Sequence, residues 1–344
     1  MKFKVVTGIM LDMRPIEEIL KPVGAELVQV PLKTEEDIIA QAAEADGVIV
    51  GVMEPFTQRV IQSLTRCRII SRPGVGFSNI HAEEATRQGI PVSIGLGANM
   101  HEVSDYALAC ILAFNRRLIP LDRAVRAGTW KGGSASMMNT RGKMHRLSRQ
   151  TLGVIGMGRI GSLVVQKAKA FGMRVLVYDP YVAVDRVRRL DAEKVELDRL
   201  LSESDYISIH TPLTSETKHL LGIAELKKMK PTACLINAAR GGLVDEQALT
   251  RALTQGILSG AALDVTDPEP PDLANPLFGF DQVLFTGHSA WFSDESITEG
   301  FRLAGESVVL ALSGKWPPYL ANPEVKARPN ARIPREEKGD GPPL

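Results

Sequence analysis

Thr151-Leu152-Gly153-Val154-Ile155-Gly156-Met157-Gly158-Arg159-Ile160-Gly161 is the stretch on which the fold turns. An apolar run ends in G-x-G-x-x-G, and the apolar-periodic segment Ile160 to Phe171 follows directly. Strand, tight turn and helix in that order are what a dinucleotide-binding turn requires. Gly156 permits the turn, Gly158 lets backbone approach a pyrophosphate, and Gly161 lets the helix pack on the sheet. The helix start at Arg159 and Ile160 then offers an anion free N–H groups and a positive dipole. Asp179 lies 18 residues past Gly161 and closes the run Val175 to Tyr178. A carboxylate there accepts from adenosine ribose hydroxyls and repels a 2′-phosphate, so NAD is expected over NADP. Arg186, Arg188 and Arg189 lie too far along to reverse this. Gly95-Leu96-Gly97 also precedes a helix, but it lacks a third glycine and a following strand-end acid, and reads as a hinge.

Working outward, β-branched runs alternate with helical stretches on both sides. Before the motif the predicted strands are Lys4 to Val6, Leu27 to Val30, Gly47 to Val52, Arg68 to Ser71 and Val92 to Gly95. From the motif onward they are Thr151 to Ile155, Arg174 to Asp179, Tyr206 to His210, Ala233 to Asn237, Ala261 to Val265 and Val283 to Thr286. Such alternation predicts parallel sheets covered on both faces, and six strands suit a full dinucleotide-binding sheet. Glu102 to Arg117 and Ser293 to Leu312 read as long helices. Arg123 to Arg149, polar and rich in Gly, Ser and Met, reads as an irregular excursion and a candidate dimer arm. From Lys326 the chain is poor in apolar residues and reads as a mobile tail, residues 326–344.

With 344 residues, 44% hydrophobic and 24% charged, the chain is long enough for two ordinary globular domains. Its 41 basic and 40 acidic residues leave a formal net charge of +1. No field holds a nucleic-acid backbone or an anionic membrane. The start reads as a strand, no run approaches a membrane span, and Cys67, Cys110 and Cys234 suggest neither disulfides nor a metal knuckle. A cytoplasmic location is the default expectation, and no metal-ligand spacing occurs.

Hydride transfer to a ketone requires a group that exchanges the alcohol proton, one that holds the carboxylate, and one that orients the nicotinamide. Arg240, in Asn237-Ala238-Ala239-Arg240-Gly241-Gly242, follows a buried strand and is flanked by small residues. Its planar fork suits a carboxylate. Asp264 ends the next strand, Glu269 stands between Pro268 and Pro270, and His288 follows the last strand. A Glu beside a His fixes its tautomer and raises its basicity. His210, with Thr211 and Pro212, sits at another strand end and is expected to line the cofactor groove. His81, His101, His145 and His219 have no comparable setting.

Together with Arg72-Pro73-Gly74-Val75-Gly76-Phe77, these motifs resemble the D-isomer-specific 2-hydroxyacid dehydrogenase family, over about residues 40 to 325. The resemblance implies two doubly wound α/β parallel-sheet domains, a Rossmann cofactor domain inserted into a flavodoxin-like substrate domain. The substrate domain would be residues 1–99 plus 296–325, the cofactor domain 100–295, with a cleft closing on binding. It implies Arg240 for the substrate carboxylate and carbonyl, His288 as acid/base and Glu269 as its partner. Asp264 would meet the nicotinamide end, Val75 and Gly76 N–H groups the carboxylate, and Asn99 the cofactor; Ala238 would border it. Ser78 and His81 stand where the family often has Asp. A homodimer built through the inserted domain is the family's common state.

His288-Ser289-Ala290-Trp291 resembles the C-terminal-binding-protein branch, and Trp291 is a candidate wall for the substrate side chain. Two functions follow from the resemblance: an NAD-dependent enzyme interconverting a 2-oxo acid and a D-2-hydroxy acid, or an NAD(H)-sensing binding protein. D-3-phosphoglycerate is the alternative substrate, although no regulatory domain is expected after the tail. The intact Arg–Glu–His set favours the enzyme.

Overall fold

The computed structural model describes residues 3–333 and divides the chain into two compact units. One runs to Asn99 and resumes at Phe292; the other is Met100–Trp291. The chain therefore returns to the first unit at Phe292, ahead of the expected Ser296.

In the first unit, five parallel strands are β1 (Phe3–Thr7), β2 (Ala25–Gln29), β3 (Gly47–Ile49), β4 (Ile70–Arg72) and β5 (Val92–Ile94), in the order β2-β1-β3-β4-β5. That is the flavodoxin-like order, with its reversal between β1 and β3. β3 and β4, inside the sheet, are buried along their whole length, and Val48, Ile49 and Ile70 supply their apolar side chains. The helix Asp294–Leu312 joins this core: Phe301, Ala304 and Val308 pack with Val5, Ile16 and Ile49. Ser293 caps it, accepting from Ser296 N.

The segment from Lys326, expected to run free, is instead attached as far as Ile333. Arg332 donates from Nη1 to the carbonyls of Leu64 (2.7 Å) and Cys67 (2.9 Å), and from Nε to that of Gln88. Ile333 is fully buried in the same core as Val5. One isoleucine and one arginine serving orphan carbonyls leave almost no mark on a hydropathy profile. Residues 334–344 of the expected tail lie outside the described residues.

In the second unit, seven parallel strands are β6 (Thr151–Ile155), β7 (Arg174–Tyr178), β8 (Glu193–Lys194), β9 (Tyr206–Ile209), β10 (Cys234–Asn237), β11 (Gly260–Leu263) and β12 (Val283–Phe285). Their order is β12-β11-β10-β9-β6-β7-β8, the Rossmann order extended at one edge. The expectation of six strands missed β8, which has two residues, both polar, on the sheet edge. β6, β9 and β10 are buried throughout, which accounts for their continuous apolar sequence. The helix Arg159–Ala170 buries Val164, Val165 and Ala168 against Val154 and Val177.

The excursion after residue 117 is partly regular. It forms the helix Leu118–Arg126, then short turns up to Arg149, and leaves Leu118, Val125, Trp130 and Met138 exposed. No helix among the described residues is long and apolar enough to cross a membrane.

Candidate active site

In the second sheet the strand order reverses between β6 and β9, where open α/β sheets bind ligands beyond their carboxyl ends. The glycine loop sits there. Gly156 has φ +91°, and a Cβ on it would lie 2.7 Å from the His210 carbonyl oxygen. The loops after β6 and β9 therefore touch, which brings His210 and Thr211 beside the motif. A Cβ on Gly161 would lie 2.1 Å from the Gly156 oxygen, so helix and loop meet in backbone contact. A Cβ on Gly158 would meet nothing within 4 Å. The fold itself needs the first and third glycines, whereas the second leaves a cradle that a side chain would fill.

Asp179 joins that cradle. Its Oδ2 accepts from Met157 N at 2.8 Å, and Oδ1 accepts from Tyr181 N and Val182 N at 2.9 and 3.2 Å. Oδ2 keeps a lone pair for a ligand hydroxyl. The cradle, the start of the 12-residue helix and this half-buried carboxylate fit a dinucleotide. Burial lowers the His210 imidazole to about 4, and its Nε2 lies 2.8 Å from Ser208 Oγ. Thr211 is half-buried, and Pro212 is exposed with its carbonyl accepting from Thr217 Oγ1.

The ends of β10, β11 and β12 lie side by side and carry the remaining candidates. After β10, Asn237 shapes the turn by donating to the Arg240 carbonyl (2.9 Å) and accepting from Ala239 N (3.1 Å). A Cβ on Gly241 would lie 2.0 Å from the Thr266 oxygen, so the loops after β10 and β11 also abut. Arg240 is half-buried. Its Nη1 donates to the Ala239 carbonyl, and among the described residues it has no carboxylate within salt-bridge distance. Desolvation holds its pKa below the usual arginine range, partly offset by the charge of Glu269. Ala238 beside it is half-buried.

Glu269 and His288 meet directly: Nδ1 of the imidazole lies 2.6 Å from Oε1 of the carboxylate. Both side chains stay partly open to solvent. The Glu269 loop is anchored by Glu246, which accepts from Asp267 N and Asn275 Nδ2 at 2.8 and 2.9 Å.

Asp264, only 3% exposed, spends its carboxylate on the His288 loop. Oδ1 accepts from Thr286 Oγ1 (2.5 Å) and Ser289 N (2.8 Å), and Oδ2 accepts from Ala290 N (3.1 Å). The backbone N–H of His288 donates to the Asp264 carbonyl at 2.6 Å. His288 has φ +57°, a left-handed conformation uncommon outside glycine, and this clamp holds it there. The expectation that Asp264 faces a nicotinamide thus meets a carboxylate already engaged three times. Thr286 Oγ1 lies 3.0 Å from the Tyr106 hydroxyl. Since its one proton goes to Asp264, Tyr106 donates to it.

Sequence reasoning missed Thr286, Tyr106 and Glu246. Thr286, two residues before His288 at a strand end, was the findable one. Trp291 is half-buried at the end of this unit.

In the first unit, the N–H groups of Val75 and Gly76 have no partner among the described residues, and Arg72 Nε holds the Gly76 carbonyl at 2.5 Å. Gly95 serves this loop: its Cβ would strike the Pro73 carbonyl. Asn99 is half-buried at the end of the unit. No group of His, Cys, Asp and Glu suited to a metal ion occurs among the described residues.

Residues 108–290 match the family model for the NAD-binding domain of D-isomer-specific 2-hydroxyacid dehydrogenases. The chain is 38% identical over 293 residues to a glyoxylate reductase of Korarchaeum cryptofilum, covering 85% of this chain and 87% of that one. It is 39% identical over 287 residues to a D-3-phosphoglycerate dehydrogenase of Mycobacterium tuberculosis, covering 83% of this chain but 53% of that one. Among solved structures, a D-lactate dehydrogenase from Aquifex aeolicus, complexed with NAD and lactic acid, superposes with a TM-score of 0.79 at 28% identity. The match covers 93% of this chain and 99% of that one.

Proposed function

Since the chain belongs to the D-isomer-specific 2-hydroxyacid dehydrogenase family and is an NAD-dependent oxidoreductase between 2-oxo acids and D-2-hydroxy acids, we propose that Arg240, Glu269 and His288 are its catalytic set. The observation that carries this is the 2.6 Å His288–Glu269 pair, set at neighbouring strand ends with the ion-pair-free Arg240. Glu269 accepts a hydrogen bond from Nδ1–H of His288, which fixes the tautomer and leaves Nε2 to exchange a proton with substrate. In reduction, His288 gives that proton to the carbonyl oxygen; in oxidation it takes it back from the alcohol. Arg240 holds the substrate carboxylate through its fork and polarises the carbonyl. Bound NADH supplies the hydride that the carbonyl carbon accepts.

Gly156, Gly158, Gly161 and the helix start at Arg159 and Ile160 receive the pyrophosphate, and Asp179 receives the ribose hydroxyls. His210, Thr211, Pro212 and Ala238 border the same groove. Two chains pair through the segment after residue 117, whose exposed Leu118, Val125, Trp130 and Met138 call for cover; light scattering tests this. Glyoxylate and 3-phosphohydroxypyruvate are the two oxo acids that the relatives' names point to. The test of the catalytic set is NADH oxidation with a panel of 2-oxo acids. His288→Asn and Arg240→Ala are each expected to lower kcat/KM by about 10²–10⁴. A His288→Asn enzyme with undiminished turnover would remove the proposed role.

A further inference from the structure

The loops at the carboxyl ends of β1, β3 and β4 hold a carboxylate that the scheme above does not use. Glu54 is 7% exposed. The backbone of Gly8, after β1, and of Gly51, after β3, closes round it. A Cβ on Gly8 would lie 2.7 Å from Oε1, and one on Gly51 2.8 Å from Oε2. Among the described residues no donor or cation reaches these oxygens, yet they are not sealed from solvent. A buried carboxylate without a donor is costly, and such a group points to a partner from outside the chain.

Its position agrees. The strand order reverses between β1 and β3, and ligands of open α/β sheets sit beyond the strand ends at such a point. Asn79 ties this loop to the next, donating to the carbonyls of Gly51 (3.1 Å) and Glu54 (2.8 Å). That next loop carries the unpartnered N–H groups of Val75 and Gly76, a seat for an anionic head. On these loops Met10, Leu11, Val52 and Met53 are apolar and exposed, and the exposed Asp12 is paired with Arg14.

Phosphate recognition calls for Arg, Lys or a helix start. Residues 8–13, 51–57 and 73–81 contain no Lys or Arg, and the helices that follow them, Arg14–Leu20, Gln58–Ser63 and Ala82–Arg87, have only seven, six and six residues, too short for a strong N-terminal dipole. Arg72 is turned onto the Gly76 and Val50 carbonyls. Resting on the function proposed above, we infer that Glu54 is a specificity-determining residue. It rejects a phosphorylated substrate and favours a 2-oxo acid whose far end is uncharged and offers a hydroxyl. Hydroxypyruvate belongs to the accepted class, and its 3-phosphate ester to the rejected one.

The experiment compares kcat/KM for these two acids in the full-length protein and in Glu54→Gln. A thermal melt and NADH fluorescence titration show that the variant is folded. The wild type is expected to prefer hydroxypyruvate by at least about 100-fold, the scale of a like-charge clash at a site. In Glu54→Gln the preference should fall at least about 10-fold, through better use of the ester, because the amide lacks the charge. A wild type that uses the ester equally well, or a preference unmoved in the variant, overturns the inference. Glyoxylate, which has no side chain, reports on the reaction class separately. No glyoxylate turnover by the wild type, or full turnover by Arg240→Ala, would sink the catalytic reading and this inference with it.

Discussion

Asp264→Ala removes one carboxylate and leaves three donors behind it. Ala290 is buried, so its N–H loses its acceptor without gaining water, at about 1–3 kcal/mol. Thr286 and Ser289 are exposed, so water replaces their bonds and each loses about 0.5–1 kcal/mol. Relief of the buried charge offsets part of this, and the net loss is about 2–3 kcal/mol. For a unit the size of Met100–Trp291, 1 kcal/mol moves Tm by roughly 2–4 °C, so a drop of about 4–12 °C is expected. Asp264→Asn keeps one accepting oxygen and should lose about half as much. Turnover should fall further than stability implies, because the clamp holds His288 at φ +57° and a misplacement of about 1 Å costs on the order of 10²-fold. The assays are a thermal melt and NADH oxidation at saturating 2-oxo acid. An Asp264→Ala protein that melts within 1 °C of the wild type by this measure and turns over normally would refute the clamp.

Arg240→Met should abolish turnover yet leave Tm unchanged or higher, since it removes a desolvated cation that has no ion pair among the described residues and is only partly offset by the charge of Glu269; a clear loss of Tm would make Arg240 structural. Gly158→Ala should melt like the wild type but bind NADH at least about 10-fold more weakly, whereas Gly161→Ala should be destabilised as well, because only the latter Cβ strikes backbone; calorimetric titration and melting separate the two. His210 has a folded pKa near 4, below its unfolded value, so its neutral form contributes stability in full above about pH 6.5. That contribution is lost as pH falls from about 6.5 towards 4. His210→Gln should flatten the fall in urea midpoint over this window, and an unchanged slope would count against a buried neutral imidazole.

What the sequence made legible was whatever repeats or alternates. All strands but the edge strand at Glu193 announced themselves as short apolar runs, most of them β-branched, and the glycine loop by its context. The Arg240, Glu269 and His288 positions were visible because each follows a strand. The two-residue edge strand at Glu193 carries no apolar pattern, since an edge need not be buried on both faces. The partnership of Asp264 with Ser289 and Ala290 is a side-chain-to-backbone bond across 25 and 26 residues, invisible to any periodicity. Nothing in the local pattern marks Glu54, whose burial depends on the glycines that make room for it at positions 8 and 51, distant from each other along the chain.

The attachment of Arg332 and Ile333 bears on how the chain matures at the ribosome. The Met100–Trp291 unit is continuous and has all its core residues once it has emerged. The other unit cannot complete its core until Phe301, Val308 and Ile333 are made. At roughly 5–20 residues per second, its first half waits on the order of 10–50 s for its own last pieces. During that interval the isoleucines and valines of the nascent N-terminal sheet are the surface a chaperone has to shield.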